Sequence, residues 1–200
     1  MGQSSIVTRA TDPFDRFRDL FERASATGLT EPNAMVLASA DEQGRPSSRV
    51  VLLKHFDRRG FVFYTNLESR KGREILARPD VSLNFFWREP KEQVCIFGRA
   101  ERVSDAEADA YFATRDRNSQ LGAWASRQSR PLASREQLLA DFEQVTERFA
   151  GGDVPRPRHW TGLRVVPRRF EFWVAQEHRL HDRTFYERDG DAWVVGMLYP

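Results

Sequence analysis

Two hundred residues carrying 31 basic and 29 acidic side chains, for a formal charge of +2, are enough for one large domain or two small ones that fold unaided. With 40% hydrophobic and 30% charged residues the composition excludes a disordered chain, and no apolar run is long enough to cross a bilayer. One cysteine, Cys95, excludes an internal disulfide, and four histidines supply no Cys/His cluster spaced for zinc.

Met1 to Ile6 has no basic segment followed by an apolar stretch, and Ile6 breaks the myristoylation pattern. The expectation is a cytoplasmic protein with a flexible stretch over residues 1–11 and a single domain over 1–200. Only Lys54, Lys71 and Lys91 are lysine, so 28 of the basic residues are arginine. Genome composition explains such a skew, and so does anion binding, because the guanidinium fork suits phosphate.

Asp12-Pro13 is a helix start, and Phe14, Phe17, Phe21 and Ala24 recur at helical spacing until Gly28, which predicts a helix over 12–27. Strand periodicity follows at 34–38, 48–54 and 60–65, with turn residues at 41–44 and 57–60, and reads as an antiparallel meander. Ser69 to Leu76 predicts a short helix, and strands follow at 81–87 and 93–103. Cys95 falls in the alternating run of the second, as a buried structural thiol. Ser104-Asp105-Ala106-Glu107 has capping-box form and opens a helix to about Thr114, and Ser134 opens another with an apolar stripe from Leu138 to Phe149. Strands resume at 163–166, 170–174, 184–188 and 192–195, the last two joined by the hairpin signal Asp189-Gly190-Asp191. Short antiparallel strands with helices between them predict an α+β fold on a closed or nearly closed barrel, and no Gly-rich phosphate loop is present.

Four clusters carry candidate chemistry. On the second strand Arg49, Val51 and Leu53 face one side and Val50, Leu52 and Lys54 the other, so Lys54 is either a snorkelling edge residue or a cation awaiting an anion. Tyr64 to Lys71 runs from a strand end into a helix start, where free N–H groups, Thr65, Ser69, Arg70 and Lys71 converge as an anion site. Tyr111, Arg115 and Ser119 are spaced by four, on one helix face if the helix continues past Asp116. Arg179-Leu180-His181-Asp182-Arg183, if extended, projects Arg179, His181 and Arg183 to one side, where they repel unless an anion compensates.

With these clusters in place, the chain resembles the pyridoxine (pyridoxamine) 5′-phosphate oxidases, FMN enzymes with a split-barrel fold, from about Asp12 to Pro200. The resemblance rests on Arg49 to Lys54, Phe63-Tyr64-Thr65-Asn66, Ser69-Arg70-Lys71, Ser119 to Trp124, Gln128-Ser129, Glu171-Phe172-Trp173 and Arg179 to Arg183. It implies a homodimer with FMN at the subunit interface. The cofactor would be held by Arg49, Val50, Val51, Leu52, Tyr64, Thr65, Arg70, Lys71, Gln93, Gln128, Ser129, Trp173 and Arg183. Lys54, Tyr111, Arg115 and Ser119 would grip the substrate phosphate, and Arg179 and His181, the catalytic pair, would lie over the pyridine ring. The implied reaction passes a hydride from C4′ to the flavin and electrons on to O2, giving pyridoxal 5′-phosphate and hydrogen peroxide.

The sequence departs from the family pattern in three places. Residues 1–11 hold Arg9 and no tyrosine where an Arg-x-x-Tyr segment is usual, Trp173 is followed by Val174-Ala175, and the end reads Met197-Leu198-Tyr199-Pro200. Alternatives are a related FMN oxidase of another aromatic metabolite, as in phenazine biosynthesis, or a non-catalytic FMN- or pyridoxal-phosphate-binding barrel. Nucleic acid is not an expected partner, because acids are interleaved with the arginines and a +2 chain steers weakly.

Overall fold

The computed structural model describes residues 12–200, so the stretch expected to be flexible, 1–11, lies outside the described residues. Helix α1 (Pro13–Ala26) starts where Asp12 accepts the Phe14 N–H at 2.9 Å, and Phe14, Phe17, Leu20 and Ala24 form its buried stripe. Strands β1 (Ala34–Ala40) and β2 (Pro46–Leu52) make a hairpin, and β3 (His55–Asp57) makes a second with β4 (Gly60–Asn66). The expected meander is corrected here: β4 pairs with β3 and with β7 (Trp160–Val174), not with β2.

Helix α2 (Arg70–Ala77) follows, capped by Ser69, whose hydroxyl accepts from Gly72 N–H and donates to Asn66 O. Strands β5 (Asp80–Trp87) and β6 (Glu92–Arg102) come next, then α3 (Asp105–Ala113), α4 (Arg117–Ala125) and α5 (Arg135–Arg148). After β7 a 3-10 turn at Glu177–Arg179 leads to β8 (Asp182–Asp189) and β9 (Ala192–Leu198). All pairings are antiparallel, in the order β2-β1-β5-β6-β7-β4-β3, with β8 and β9 continuing from the C-terminal half of β7. Only Leu53 and Lys54 separate β2 from β3, and Lys54 N–H donates to Val62 O at 2.9 Å. The two ends of the strand order therefore meet, which closes the split barrel.

Strand β7 is one strand, not the expected two. The apparent break at Pro167-Arg168 is a bulge: Gly98 faces Pro167 and Phe97 faces Arg169, leaving Arg168 as the extra residue. Helix α4 had no sequence expectation beyond the alignment of Ser119 with Arg115. The α3 helix ends at Ala113, and Asp116 starts a new one by accepting Ser119 N–H at 2.9 Å, so Tyr111, Arg115 and Ser119 do not share a helix face.

Three apolar clusters hold these elements together, the smallest being Val62, Val103 and Ala108. The barrel core is built around Phe17, Phe61, Phe85, Phe170 and Phe172. A second cluster, the insert cluster of Phe112, Leu121, Val154 and Trp160, lies under α3, α4 and α5. Arg164, 4% exposed, ties these two to each other: from β7 it donates to Asp57 at 3.2 Å on the β3–β4 hairpin and to Glu107 at 2.6 Å on α3. Among the described residues no helix is long and apolar enough to cross a membrane, and no cluster of His, Cys, Asp and Glu could hold a metal ion.

Candidate active site

Between the barrel wall and the helical insert lies a cleft of about 910 Å³. Strand β2 lines it with Arg49, Val50, Val51 and Leu52, followed by Lys54; β4 adds Tyr64, Thr65 and Asn66; Tyr111, Arg115, Ser119 and Gly122 come from the insert. Lys71, Gln128 and Trp160 complete it. Cations sit toward two parts of this space, and the surroundings of each differ.

At the barrel side Lys71 Nζ donates to Gln128 Oε1 at 3.0 Å, and Thr65 Oγ1 reaches the same oxygen at 3.4 Å. Burial pushes the Lys71 ammonium pKa down and the charge of Arg49 pushes the same way, against the opposing pull of Glu74. Arg49 is held from behind: Nη2 meets Glu74 Oε2 at 3.1 Å and the Ser47 hydroxyl, while Nη1 donates to Ser39 Oγ at 2.5 Å. The expected anion site is corrected in part. The Ser69 hydroxyl is fully buried and used up as the α2 cap, and Arg70 turns to Glu74 Oε1 at 2.8 Å and lines a different hollow, with Asp41, Arg45 and Arg73.

At the insert side the Tyr111 ring stacks on Tyr64 with centroids 3.9 Å apart, and Tyr64 stacks on Trp160 at 5.2 Å. The Tyr64 ring fits because Gly162 lies opposite it on β7, where a Cβ would come within 2.8 Å of the ring. The Arg115 guanidinium lies 4.8 Å over Trp160, and its Nη1 is buried with no hydrogen-bond partner among the described residues. Burial pushes its pKa down, although Tyr111 and Asp116 act the other way. Asp116 does not neutralise it by a salt bridge, being engaged as the α4 cap. A buried N–H donor left without an acceptor costs about 1–3 kcal/mol, and an anion entering the cleft can recover that cost.

The remaining candidate residues lie elsewhere on the chain. Gln93, Trp173 and Arg183 occupy one row across β6, β7 and β8, and the fully buried Val94 and Phe172 beside them put this row on the outward face of the sheet. Phe86, 57% exposed, continues the row on β5. Cys95 shares that face and is half-buried, not buried as expected, with Asn84 and Gln93 donating to its sulfur.

The expected extended run from Arg179 to Arg183 is corrected: His178 and Arg179 adopt left-handed φ values of 56° and 63° in the 3-10 turn, and the strand begins at Asp182. His181 packs on Trp173 at 4.6 Å, and its Nδ1 accepts the Gln176 N–H at 3.1 Å. Ser129, with φ 69°, lies in the loop after α4 and lines an adjacent hollow. Sequence reasoning missed Trp160 and Glu74. The i, i+4 pair Arg70–Glu74 was visible, but the serines that close around Glu74 come from the distant β1–β2 hairpin.

Two carboxylates fix the acid limit of this arrangement. Burial would raise Glu74, but hydrogen bonds from Ser39, Ser47, Arg70 and Arg49 hold it at about 2, and Arg59, His55 and Arg164 hold Asp57 at about 2 against its own burial. A carboxylate depressed in the folded state stabilises it above the unfolded pKa and loses that contribution as pH falls toward the folded one. Stability should therefore drop between pH 4.5 and about 2, and Glu74→Gln should flatten the slope. Denaturant midpoints through that interval check it, and a wild-type midpoint that does not move contradicts it.

The split barrel thus presents one cleft with two cationic subsites, each suited by its chemistry to an anion. Residues 21–149 match the family described as pyridoxamine 5′-phosphate oxidase, and residues 160–200 match the pyridoxine 5′-phosphate oxidase C-terminal dimerisation region. The chain is 60% identical over 189 residues to a pyridoxine/pyridoxamine 5′-phosphate oxidase of Myxococcus xanthus, covering 94% of this chain and 92% of that one. It is 50% identical over 200 residues to that of Gluconobacter oxydans, with both chains covered in full. Among solved structures, PhzG from Burkholderia lata, determined with tetrahydrophenazine-1-carboxylic acid, is similar with a TM-score of 0.89 and 36% identity, over 96% of this chain and 94% of that one.

The chain belongs to the pyridoxamine 5′-phosphate oxidase family. It is an FMN-dependent oxidoreductase and a homodimer. The site fits FMN: a half-buried lysine beside a pinned arginine and a hydroxyl suits a phosphate at the barrel side, and the unpartnered Arg115 Nη1 leaves a second anion position.

Proposed function

We propose that the enzyme oxidises pyridoxine and pyridoxamine 5′-phosphate at C4′ to pyridoxal 5′-phosphate. The alcohol plus O2 gives the aldehyde plus hydrogen peroxide, and the amine consumes water in addition and releases ammonia. Bound FMN supplies the two-electron acceptor that O2 regenerates.

The observation that carries this reading is the half-buried Arg115 guanidinium, whose buried Nη1 has no partner among the described residues, in the same cleft as Lys71 and Gln128. Arg115 binds the substrate phosphate together with Lys54, Tyr111 and Ser119, and Trp160 fixes the plane of the guanidinium. Arg49, Lys71, Thr65, Gln128, Tyr64 and the backbone of Val50 to Leu52 hold the cofactor, with Ser129 at its margin and Arg70 turned away to Glu74. Gln93, Trp173 and Arg183 reach it from the partner subunit, since in one chain they lie on the outward sheet face and outside the cleft.

Arg179 and His181 close over the pyridine ring. Because a backbone N–H can only donate, the Gln176 contact makes His181 Nδ1 an acceptor, so its ring carries a proton on Nε2 and offers it to the 3′-oxygen of the substrate. His181 thereby positions the substrate and does not need to remove a proton.

Flavin-loaded protein incubated with pyridoxamine 5′-phosphate in air should form aldehyde and hydrogen peroxide in equal amounts. A flavin spectrum that never changes on substrate addition without oxygen rejects the proposal.

A further inference from the structure

Three cations, Arg49, Arg70 and Lys71, lie within reach of one buried carboxylate, Glu74, which is 4% exposed. Its two oxygens have different tasks. Oε2 gathers the hydroxyls of Ser39 and Ser47, both at 2.6 Å, and Arg49 at 3.1 Å. Oε1 takes Arg70 at 2.8 Å. Arg49 is thus fixed against the cleft floor by a carboxylate and two hydroxyls that never enter the cleft, while Arg70, next in sequence to Lys71, is drawn to the far side of α2.

We propose that Glu74 is the positioning residue for the cofactor phosphate: it locks Arg49 in place facing the cleft, withdraws Arg70, and so sets which cations the phosphate meets. This rests on the reading that the FMN phosphate lies at the Lys71 side. Two physical effects of Glu74 oppose each other. Its negative charge lowers the local potential and by itself weakens anion binding, whereas its hydrogen bonds remove the rotamer freedom that Arg49 would otherwise lose on binding. In the proposal the second effect dominates, because the carboxylate charge is already spent on two guanidiniums while Arg49 has a long side chain to immobilise.

The test compares dissociation constants of FMN and riboflavin for flavin-stripped full-length protein, read by quenching of free-flavin fluorescence. Riboflavin differs only in lacking the phosphate. In the wild type FMN should bind more tightly than riboflavin; equal binding overturns the placement of the phosphate itself and leaves Glu74 no phosphate to position. Given that preference, Glu74→Ala should reduce it by about tenfold with riboflavin affinity unchanged, and Glu74→Gln, which keeps an acceptor for Arg49, by about threefold. A preference that is unchanged or larger in the variants overturns the proposal, because charge alone then governs. An equal loss for both ligands also overturns it, as a general loss of structure. If the alanine variant does not fold, the direction of change in the glutamine variant decides.

Discussion

Replacing Arg115 by methionine should raise KM for pyridoxamine 5′-phosphate by about a hundredfold while leaving the flavin-free protein at least as heat-resistant as the parent. The two halves share one cause. The guanidinium lies half-buried over Trp160 with its buried Nη1 unsatisfied, so in the empty cleft it costs stability, and methionine of similar length covers the same indole without a charge. When the phosphate binds, that guanidinium makes charge-assisted hydrogen bonds worth about 1.5–3 kcal/mol each, all lost in the variant. The selectivity for phosphorylated over unphosphorylated substrate should collapse with it. Steady-state kinetics with both substrates and a thermal melt of the stripped protein measure the two effects. An unchanged KM would move the substrate phosphate away from Arg115 and favour an unphosphorylated aromatic substrate.

Arg115 also shows what the sequence could and could not disclose. Its spacing from Tyr111 and Ser119 pointed to an oxyanion pocket, and all three residues do line the cleft, yet by a different construction. Asp116 ends one helix and starts another, and the polar opening Arg117-Asn118-Ser119-Gln120 has no apolar stripe by which α4 could be read locally. Helices with strong side-chain caps were legible because a cap is a contact between residues two or three apart: Asp12, Ser104 and Ser134 accept the N–H groups that the sequence assigns them, whereas Ser69, read as part of an anion site, caps α2 in the same way.

Features set by distant pairing were not legible. Pro167-Arg168 looks like a strand end until β6 supplies the register that makes it a bulge. The 3-10 turn at Glu177–Arg179 breaks an alternation that local pattern alone reads as strand, and Gln176 N–H to His181 together with Gln176 Nε2 to Asp182 closes it. Glu74 is the sharpest case. On a helix that starts Arg-Lys-Gly-Arg-Glu it reads as a solvated surface acid, and only the hairpin serines and Arg49 make it a buried hub.

The separation of the barrel core from the apolar cluster under the helical insert allows stability and substrate binding to be separated experimentally, and Phe17→Ala is the substitution that does so. Phe17 is fully buried, with ring centroids 5.0 Å from Phe56 on β3, 4.9 Å from Phe61 on β4 and 5.1 Å from Phe85 on β5. Strands β4 and β5 are not ladder neighbours, so this one ring joins separate parts of the barrel wall through the core. Removing it loses the transfer free energy of the ring and leaves a cavity that three other rings cannot fill without leaving their own contacts, a cost of about 3–5 kcal/mol. For a chain of this size each kcal/mol lowers the melting midpoint by roughly 2–4 °C, so a fall of about 10 °C is expected at fixed protein concentration. None of the aromatic neighbours of Phe17 lines the cleft, whose aromatic wall of Tyr64, Tyr111 and Trp160 packs with the insert cluster. KM for pyridoxamine 5′-phosphate at room temperature should therefore stay within about twofold of the parent, and added FMN should raise the midpoint of both proteins by mass action. A melt with and without FMN and a KM measurement decide it. A raised KM together with a lowered midpoint would mean that barrel packing is transmitted to the cleft, with Arg164, bonded to both the β3–β4 hairpin and α3, as the connection to break next.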